Sequence, residues 1–372
     1  MNHIDRRKWL KTAGLGSGFT LLGGLGTLTA SNDQVFSNPL ENEVAKLNSN
    51  ENPFGPSKRV RAAITTAFDQ ACRYPSVVFR PLLEQIAMTE GVSTDHIVIT
   101  GGSTEGLKAT GLTYGIGEGE IIAADPTFQA MLRYAEGFGA YVHRVPVDAT
   151  MGHDLNAMAQ RINNKTRLIF VCNPNNPTGT LIEKNTLRDF CSSISKKAVV
   201  FSDEAYYDFI MEPDYPSMVT LVKEGMNVIV SKTFSKVYGL AGVRIGYLVA
   251  RPDIVARLRK NIMAMTNVLA IEAAKEALRD DEFYKFSLLK NSEAKKSIYK
   301  TLDDLGLEYV KSHTNFVFFK SGKPIGEMLT AMKKENVIIG RPFPPFYEWV
   351  RISTGTMESM KQFDRALKNV LG

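Results

Sequence analysis

The sequence predicts an α/β protein, with a larger domain around a mainly parallel sheet and a smaller α/β lobe after it. Three observations predict it. Seven short β-rich runs alternate with longer helical patterns from about residue 76 to 255, the order that builds a parallel sheet. Most of these runs are continuous Val, Ile and Phe rather than strict alternations, as strands covered on both faces require. After Pro252 the pattern turns helical and then mixed as far as Gly372.

In chain order, the expected strands are 96–100, 120–124, 140–147, 167–171, 198–202, 227–231 and 244–250. Helical patterns such as 105–114 and 184–195 lie between them, and a long Ala/Leu/Lys/Arg segment runs from 253 to about 278. A strand-like stretch at 315–320 belongs to the smaller lobe, which residues 44–70 are expected to complete. The boundaries read from this are 1–30, 31–75, 76–252 for the larger domain and 253–372 for the smaller.

A chain of 372 residues can bury the cores of two such units. Its 44% apolar and 23% charged residues are those of an ordinary globular protein. Half of the formal +6 charge comes from residues 1–30, where Arg6, Arg7, Lys8 and Lys11 outweigh Asp5. The remainder mixes signs along the chain, which gives no footprint for nucleic acid. Cys72, Cys172 and Cys191 form no C-x-x-C pair and have no His at ligand spacing. A structural metal and a disulfide framework are therefore not expected, and all three read as core thiols.

Residues 1–30 read as an address. Asp5-Arg6-Arg7-Lys8-Trp9-Leu10-Lys11 precedes an uncharged, apolar, Gly-rich stretch that runs to Ala30, the layout of a secretory signal. Gly14, Gly16, Gly18, Gly23, Gly24 and Gly26 would each cost a free helix about 1 kcal/mol relative to Ala. The twin Arg resembles the twin-arginine (Tat) type. That implies export to the periplasm, cleavage near Ala30 and no stable membrane span in the mature protein, with a cytoplasmic location as the alternative.

Five clusters fall at the C-terminal ends of expected strands or in strand-like runs, and strand ends are where open α/β sheets bind ligands. Gly101-Gly102-Ser103-Thr104-Glu105-Gly106 follows the first strand and opens a helix. Its backbone N–H groups and two hydroxyls suit a phosphate, although Gly-Ser-Thr turns are also common loop material. Asn173-Pro174-Asn175-Asn176-Pro177-Thr178-Gly179 is a stiff loop that either presents an amide or simply turns the chain. Ser202-Asp203-Glu204-Ala205-Tyr206-Tyr207 offers an acid and a phenol to one ring, or an N-cap and a core Tyr. Thr233-Phe234-Ser235-Lys236-Val237-Tyr238-Gly239-Leu240-Ala241-Gly242-Val243-Arg244 sets a Lys in an apolar, Gly-rich loop. Such a loop desolvates a Schiff-base-forming amine, against the general background that lysines are surface charges. Val350-Arg351-Ile352-Ser353 places an Arg in a strand, either for a ligand carboxylate or for a surface ion pair.

Their joint occurrence in this order resembles, nearly residue for residue, the class I/II aminotransferases of pyridoxal-phosphate (PLP) fold type I, and among them the histidinol-phosphate aminotransferase branch. Leu47-Asn48-Ser49-Asn50-Glu51-Asn52-Pro53-Phe54-Gly55-Pro56 and Arg73-Tyr74-Pro75 belong to the same resemblance, which runs from about residue 44 to the C-terminus. It implies a seven-stranded large domain, PLP as cofactor and a homodimer with shared active sites, to whose contacts residues 31–75 contribute.

The resemblance also implies roles. Lys236 forms the Schiff base, and not Lys232, because only Lys236 precedes Gly239-Leu240-Ala241-Gly242 and has Arg244 eight residues on. Its freed amine then moves a proton. Asp203 pairs with the pyridinium nitrogen, Tyr206 and Asn176 bond the phenolic oxygen, and Phe128 of Asp125-Pro126-Thr127-Phe128 stacks on the ring. Ser103, Thr104, Thr233, Ser235 and Arg244 hold the phosphate, and Tyr74 reaches the phosphate of the neighbouring subunit. Arg351 grips the substrate carboxylate, with Asn176, Asn52 and Arg341 as further substrate contacts.

Arg341 is the position for a second phosphate, yet the aromatic run at 342–347 beside it favours an ordinary α-amino acid, an aromatic one among them. The reaction read from this is transfer of an amino group between an L-amino acid and a 2-oxo acid. A lyase or decarboxylase would use the same Schiff base and acid. Arg351 favours a carboxylate that stays bound. A non-catalytic binding protein is disfavoured because every mapped catalytic position is filled. A dinucleotide enzyme lacks its Gly fingerprint.

Overall fold

A computed structural model describes residues 44–372. The expected signal at 1–30 and the lead-in up to residue 43 lie outside the described residues.

The larger sheet has seven strands: β2 (Ile97–Thr100), β3 (Glu120–Asp125), β4 (Tyr141–Pro146), β5 (Thr166–Cys172), β6 (Val199–Asp203), β7 (Val228–Thr233) and β8 (Gly246–Ala250). Their order is β2-β8-β7-β6-β5-β3-β4. The pairings from β4 through β7 are parallel, and β8 is antiparallel to both β7 and β2. The reversal follows from the connections. β7 reaches β8 through a loop that carries Lys236 and no helix, and a connection without a crossover returns the chain antiparallel. β5, β6 and β7 are buried along nearly their whole length, which is why their sequences do not alternate.

One core lies on the face covered by helices Ser76–Glu90, Lys184–Ile194 and Val268–Ala277, with Leu82, Cys191, Val200 and Ile271 inside it. Helices Ser103–Gly115, Ala130–Glu136 and Pro252–Arg259 cover the other face, around Leu107, Phe170, Phe201 and Leu258. The third core belongs to the smaller lobe. There β10 (Phe316–Lys320) lies between β12 (Trp349–Ser353) and β9 (Tyr309–Val310), packed with helices Asp281–Asp304, Ile325–Lys334 and Met357–Leu371.

Three expectations are corrected. Residues 44–70 complete the smaller lobe only at their start, where β1 (Ala45–Lys46) pairs parallel with β11 (Val337–Ile338). Helix Lys58–Ala67 instead buries Val60 and Ala67 in the larger core. The segment 253–278 is not one helix and does not pack in the smaller core. It breaks between Arg259 and Val268, where Asn267 caps the next helix by accepting from Ala270 N at 2.8 Å. Ile254, Val255 and Leu258, then Ala270, Ile271 and Ala274, are buried against the larger sheet. Finally, Cys172 and Cys191 are core thiols, but Cys72 is exposed, because it sits in the turn before Pro75.

Candidate active site

The strand register sets the site. Cys172, Asp203 and Ser231 stand abreast at the C-terminal ends of β5, β6 and β7, and a cavity of about 410–550 Å³ opens on each side of this edge. The one of about 550 Å³ is lined by Ser103, Thr104, Phe128, Asn176, Asp203 and Tyr206. Ser235, Lys236, Arg244, Arg341 and Arg351 close it from the loop and the smaller lobe. Eleven of the expected site residues are thus brought together.

Three are not. Thr233 is buried beneath the loop, where its hydroxyl donates to Ser235 Oγ at 3.0 Å and accepts from Ser235 N at 3.1 Å. It shapes the turn before Lys236 and faces the neighbouring cavity. Asn52 uses its amide on the protein, donating to Val237 O at 2.8 Å and Ser287 Oγ at 2.9 Å. It fastens the 48–55 segment to the Lys236 loop rather than lining the cavity. There the backbones nearly touch: a Cβ on Gly55 would lie 2.5 Å from the Cα of Gly239. Tyr74 is 88% exposed and outside the cavity of its own chain.

The two candidate lysines have opposite surroundings. Lys232 is locked into Glu90, 3.0 Å from each carboxylate oxygen, with Glu204 at 3.8 Å, and these anions hold its amine above the ordinary lysine value against the cost of burial. Among the described residues, Lys236 has no carboxylate within ion-pair distance. Its Nζ donates to Asn50 O at 2.9 Å and lies 5.5 Å from the Tyr206 ring. Burial, and next the Arg351 cation, lower it to about 8. A lysine so placed is a nucleophile near neutral pH.

Asp203 is 2% exposed, and burial raises its carboxyl to about 7. Among the described residues, the one hydrogen bond its carboxylate accepts comes from Ala205 N at 3.2 Å. A buried carboxylate with so little support lacks a cationic N–H partner. Above it, Tyr206 accepts from Asn50 Nδ2 at 2.9 Å and from Asn176 Nδ2 at 3.3 Å, and burial pushes its phenol up.

Arg351 donates to Asn176 Oδ1 at 2.7 Å and to Asn48 O at 2.6 Å, while its buried Nε has no partner. Its guanidinium lies over the Phe316 and Phe343 rings, at 5.4 and 4.9 Å from the ring centres. Burial lowers it to about 10. Arg341 stands over the Phe343 ring at 4.4 Å and donates to Pro342 O at 2.9 Å. Neither arginine has a carboxylate partner among the described residues.

The Gly-rich turn forms a cradle. Gly102 has φ +85°, and a Cβ there would come within 2.4 Å of Arg244 Nη2. The guanidinium therefore lies where only glycine leaves room, at the start of helix Ser103–Gly115. Free N–H groups, two hydroxyls and an Arg fork meet at one point, which suits a phosphate.

Sequence reasoning missed three contributors. Asn50 and Asn48 were read as part of a motif without roles, yet both touch site side chains. Asn175 accepts from Thr127 Oγ1 at 2.8 Å and donates to Pro126 O at 3.1 Å, pinning the turn that carries Phe128. The only signal for any of them was an amide side chain inside a motif.

A near-neutral lysine amine, a carboxylate short of a cation and a phosphate cradle around one cavity fit an aldehyde cofactor with a basic ring nitrogen and a phosphate tail. The class so defined is that of the PLP enzymes of fold type I. The chain belongs to the aminotransferase class I and II family, whose profile it matches over residues 42–368. It is 38% identical over 332 residues to a histidinol-phosphate aminotransferase of Moorella thermoacetica, covering 88% of this chain and 86% of that one. A Bacillus cereus histidinol-phosphate aminotransferase is 34% identical over 333 residues, covering 88% and 89%. The structure of histidinol-phosphate aminotransferase from Sinorhizobium meliloti in complex with pyridoxal-5'-phosphate superposes with a TM-score of 0.82, at 25% identity over 93% of this chain and 95% of that one. The protein is a PLP-dependent aminotransferase.

Proposed function

We propose that this aminotransferase moves an amino group between an L-α-amino acid and a 2-oxo acid, with Arg351 receiving the carboxylate of each. One observation carries the reading: Arg351 is buried, lies over two aromatic rings, and has an Nε without a hydrogen-bond partner among the described residues. A desolvated guanidinium of this kind is stabilised by a bidentate anion. Arg341, on the same cavity and without a carboxylate partner among the described residues, favours a second reading in which the donor is histidinol phosphate and its phosphate lies between the two arginines. The names of the relatives support the same alternative.

In this proposal Lys236 holds the cofactor covalently. Asp203 faces the ring nitrogen, Tyr206 and Asn176 the phenolic oxygen, and Phe128 one face of the ring. Ser103, Thr104, Ser235 and Arg244 hold the phosphate. When bound, PLP supplies the electron sink that stabilises negative charge at the substrate Cα. Asp203 keeps the ring nitrogen protonated, since a buried carboxylate gains most by facing an N–H cation. The Lys236 amine, once free, would be placed to take up and return the proton at the substrate Cα. Arg351 fixes the donor so that this proton faces Lys236.

The test is spectroscopic. Purified protein is mixed with single amino acids and with histidinol phosphate while its visible band is followed. Bleaching by one α-amino acid, with recovery on adding a 2-oxo acid, supports the first reading, and bleaching by histidinol phosphate alone supports the second. If no amine bleaches the band, both fail.

We further propose a homodimer in which Tyr74 reaches the neighbouring subunit's phosphate site, and export by the Tat route. The support for export is the Arg6-Arg7 pair before an uncharged stretch. Among the described residues, no helix is long and apolar enough to cross a membrane. Replacing both arginines by Lys should leave the protein in the cytoplasmic fraction. Unchanged fractionation overturns the export proposal.

A further inference from the structure

We propose that Asn50 is a positioning residue that aims both Tyr206 and Lys236 and ties them to the strand carrying Arg351. The inference rests on the assignment of Lys236 as the cofactor lysine.

Asn50 is 1% exposed and has φ 53°, in the left-handed region that Asn tolerates better than most residues. Its N–H donates to Ser353 Oγ at 2.8 Å, and the Ser353 hydroxyl donates back to Asn50 Oδ1 at 2.9 Å. The single Ser353 proton goes to Asn50 Oδ1, and the Ser353 oxygen accepts from the backbone N–H. Oδ1 is the acceptor, which leaves Nδ2 as a donor.

That donor goes to the Tyr206 oxygen at 2.9 Å, and Asn176 Nδ2 donates to the same atom at 3.3 Å. Two amide donors occupy the acceptor side of the phenol. Its own proton must then point away from both, into the cavity, where a cofactor oxygen would accept it. Asn50 thus sets the direction of the bond Tyr206 makes.

The backbone acts on Lys236. Asn50 O accepts from Lys236 Nζ at 2.9 Å and from Asn315 Nδ2 at 3.0 Å. The left-handed conformation aims this carbonyl at the lysine, and a residue with ordinary φ would turn it elsewhere. Ser353 lies two residues beyond Arg351 on β12. Movement of that strand on anion binding would therefore pull on Asn50, and through it on both Tyr206 and Lys236.

Two substitutions separate the side chain from the backbone. Asn50→Gly keeps positive φ and the carbonyl but removes the amide, and Asn50→Ala removes the amide and disfavours the conformation. One readout is the pH midpoint of Lys236 acylation by acetic anhydride in cofactor-free protein, quantified by peptide mass. The other is the pH midpoint of the visible band in loaded protein.

In Asn50→Gly the lysine midpoint should stay within about 0.3 unit of wild type, while the band midpoint rises by about 0.5–1 unit as Tyr206 loses direction. That rise should vanish in a Tyr206→Phe background. In Asn50→Ala the lysine midpoint should also fall by about 0.5–1 unit, because the ammonium form loses an acceptor.

If neither midpoint moves and only the melting temperature changes, Asn50 is a packing residue and the proposal fails. A band shift that persists without the Tyr206 hydroxyl also overturns it. A visible band that survives Lys236→Ala would instead overturn the assignment of Lys236.

Discussion

The amine of Lys236 is lowered to about 8, chiefly by burial, and its neutral form is the nucleophile. Capture of PLP by cofactor-free protein should therefore speed up as pH rises toward about 8 and then level off. An ordinary lysine would keep gaining about tenfold per unit up to about 10.4. Stopped-flow growth of the visible band between pH 6 and about 10 distinguishes the two. Arg351 makes a second residue-scale prediction. Lys at that position keeps the charge but loses the planar fork and its contact with the Phe316 and Phe343 rings. Arg351→Lys should raise KM for the amino donor about 10- to 100-fold, the equivalent of about 1.5–3 kcal/mol for a hydrogen bond to a charged group. The cofactor band should be unchanged, and steady-state kinetics beside a spectrum checks both halves.

Elements convert these residue properties into positions. Helix Ser103–Gly115 begins where Gly102, at φ +85°, leaves room for the Arg244 guanidinium. Gly102→Ala would displace that guanidinium and strain the turn by about 1–2 kcal/mol. Its PLP dissociation constant, measured by equilibrium dialysis, should rise about tenfold or more. On the opposite side of β7, Lys232 neutralises Glu90 beside Glu204. Lys232→Ala would leave buried carboxylates unpaired, at a cost of about 3–5 kcal/mol. It should lower the melting temperature sharply without abolishing the band, the reverse of Lys236→Ala. The seven strands were legible because continuous Val/Ile/Phe runs between helices have few other solutions in water. So were the residues at their ends, because a Gly turn, an acid and a lysine each follow such a run. Thr233 was misplaced for a reason of local geometry: alternation on β7 and the turn after it send its hydroxyl to Ser235, not to the cavity. The break at 260–267 was hidden because its cap, Asn267, is a single residue inside an otherwise helical composition. Asn50 was hidden because its role comes from Ser353, Tyr206 and Lys236, which are far from it in sequence and close only after folding.

At the scale of the whole molecule, the larger sheet supplies the cofactor side of the cavity and β12 of the smaller lobe supplies Arg351, so chemistry waits on the two being held together. The 48–55 segment does this within one chain, through Asn52 to Val237 and Asn50 to Ser353. Between chains the proposed agent is Tyr74. It is 88% exposed, near Val77 at 84% and Phe68 at 60%, an apolar surface of the kind that a second copy covers. Subunit mixing tests this directly. Lys236→Ala and Tyr74→Ala should each be impaired when assembled alone. In a mixed dimer, one site combines both lesions, and the other combines an intact Lys236 with an intact Tyr74 from its neighbour. After dissociation and reassociation of equal amounts, activity should therefore return to about a quarter of the wild-type value, since half of the dimers are mixed and each has one whole site. If Tyr74 serves only its own chain, no site in the mixture regains both groups. Activity would then stay at the average of the two parents, and the shared-site dimer would be wrong.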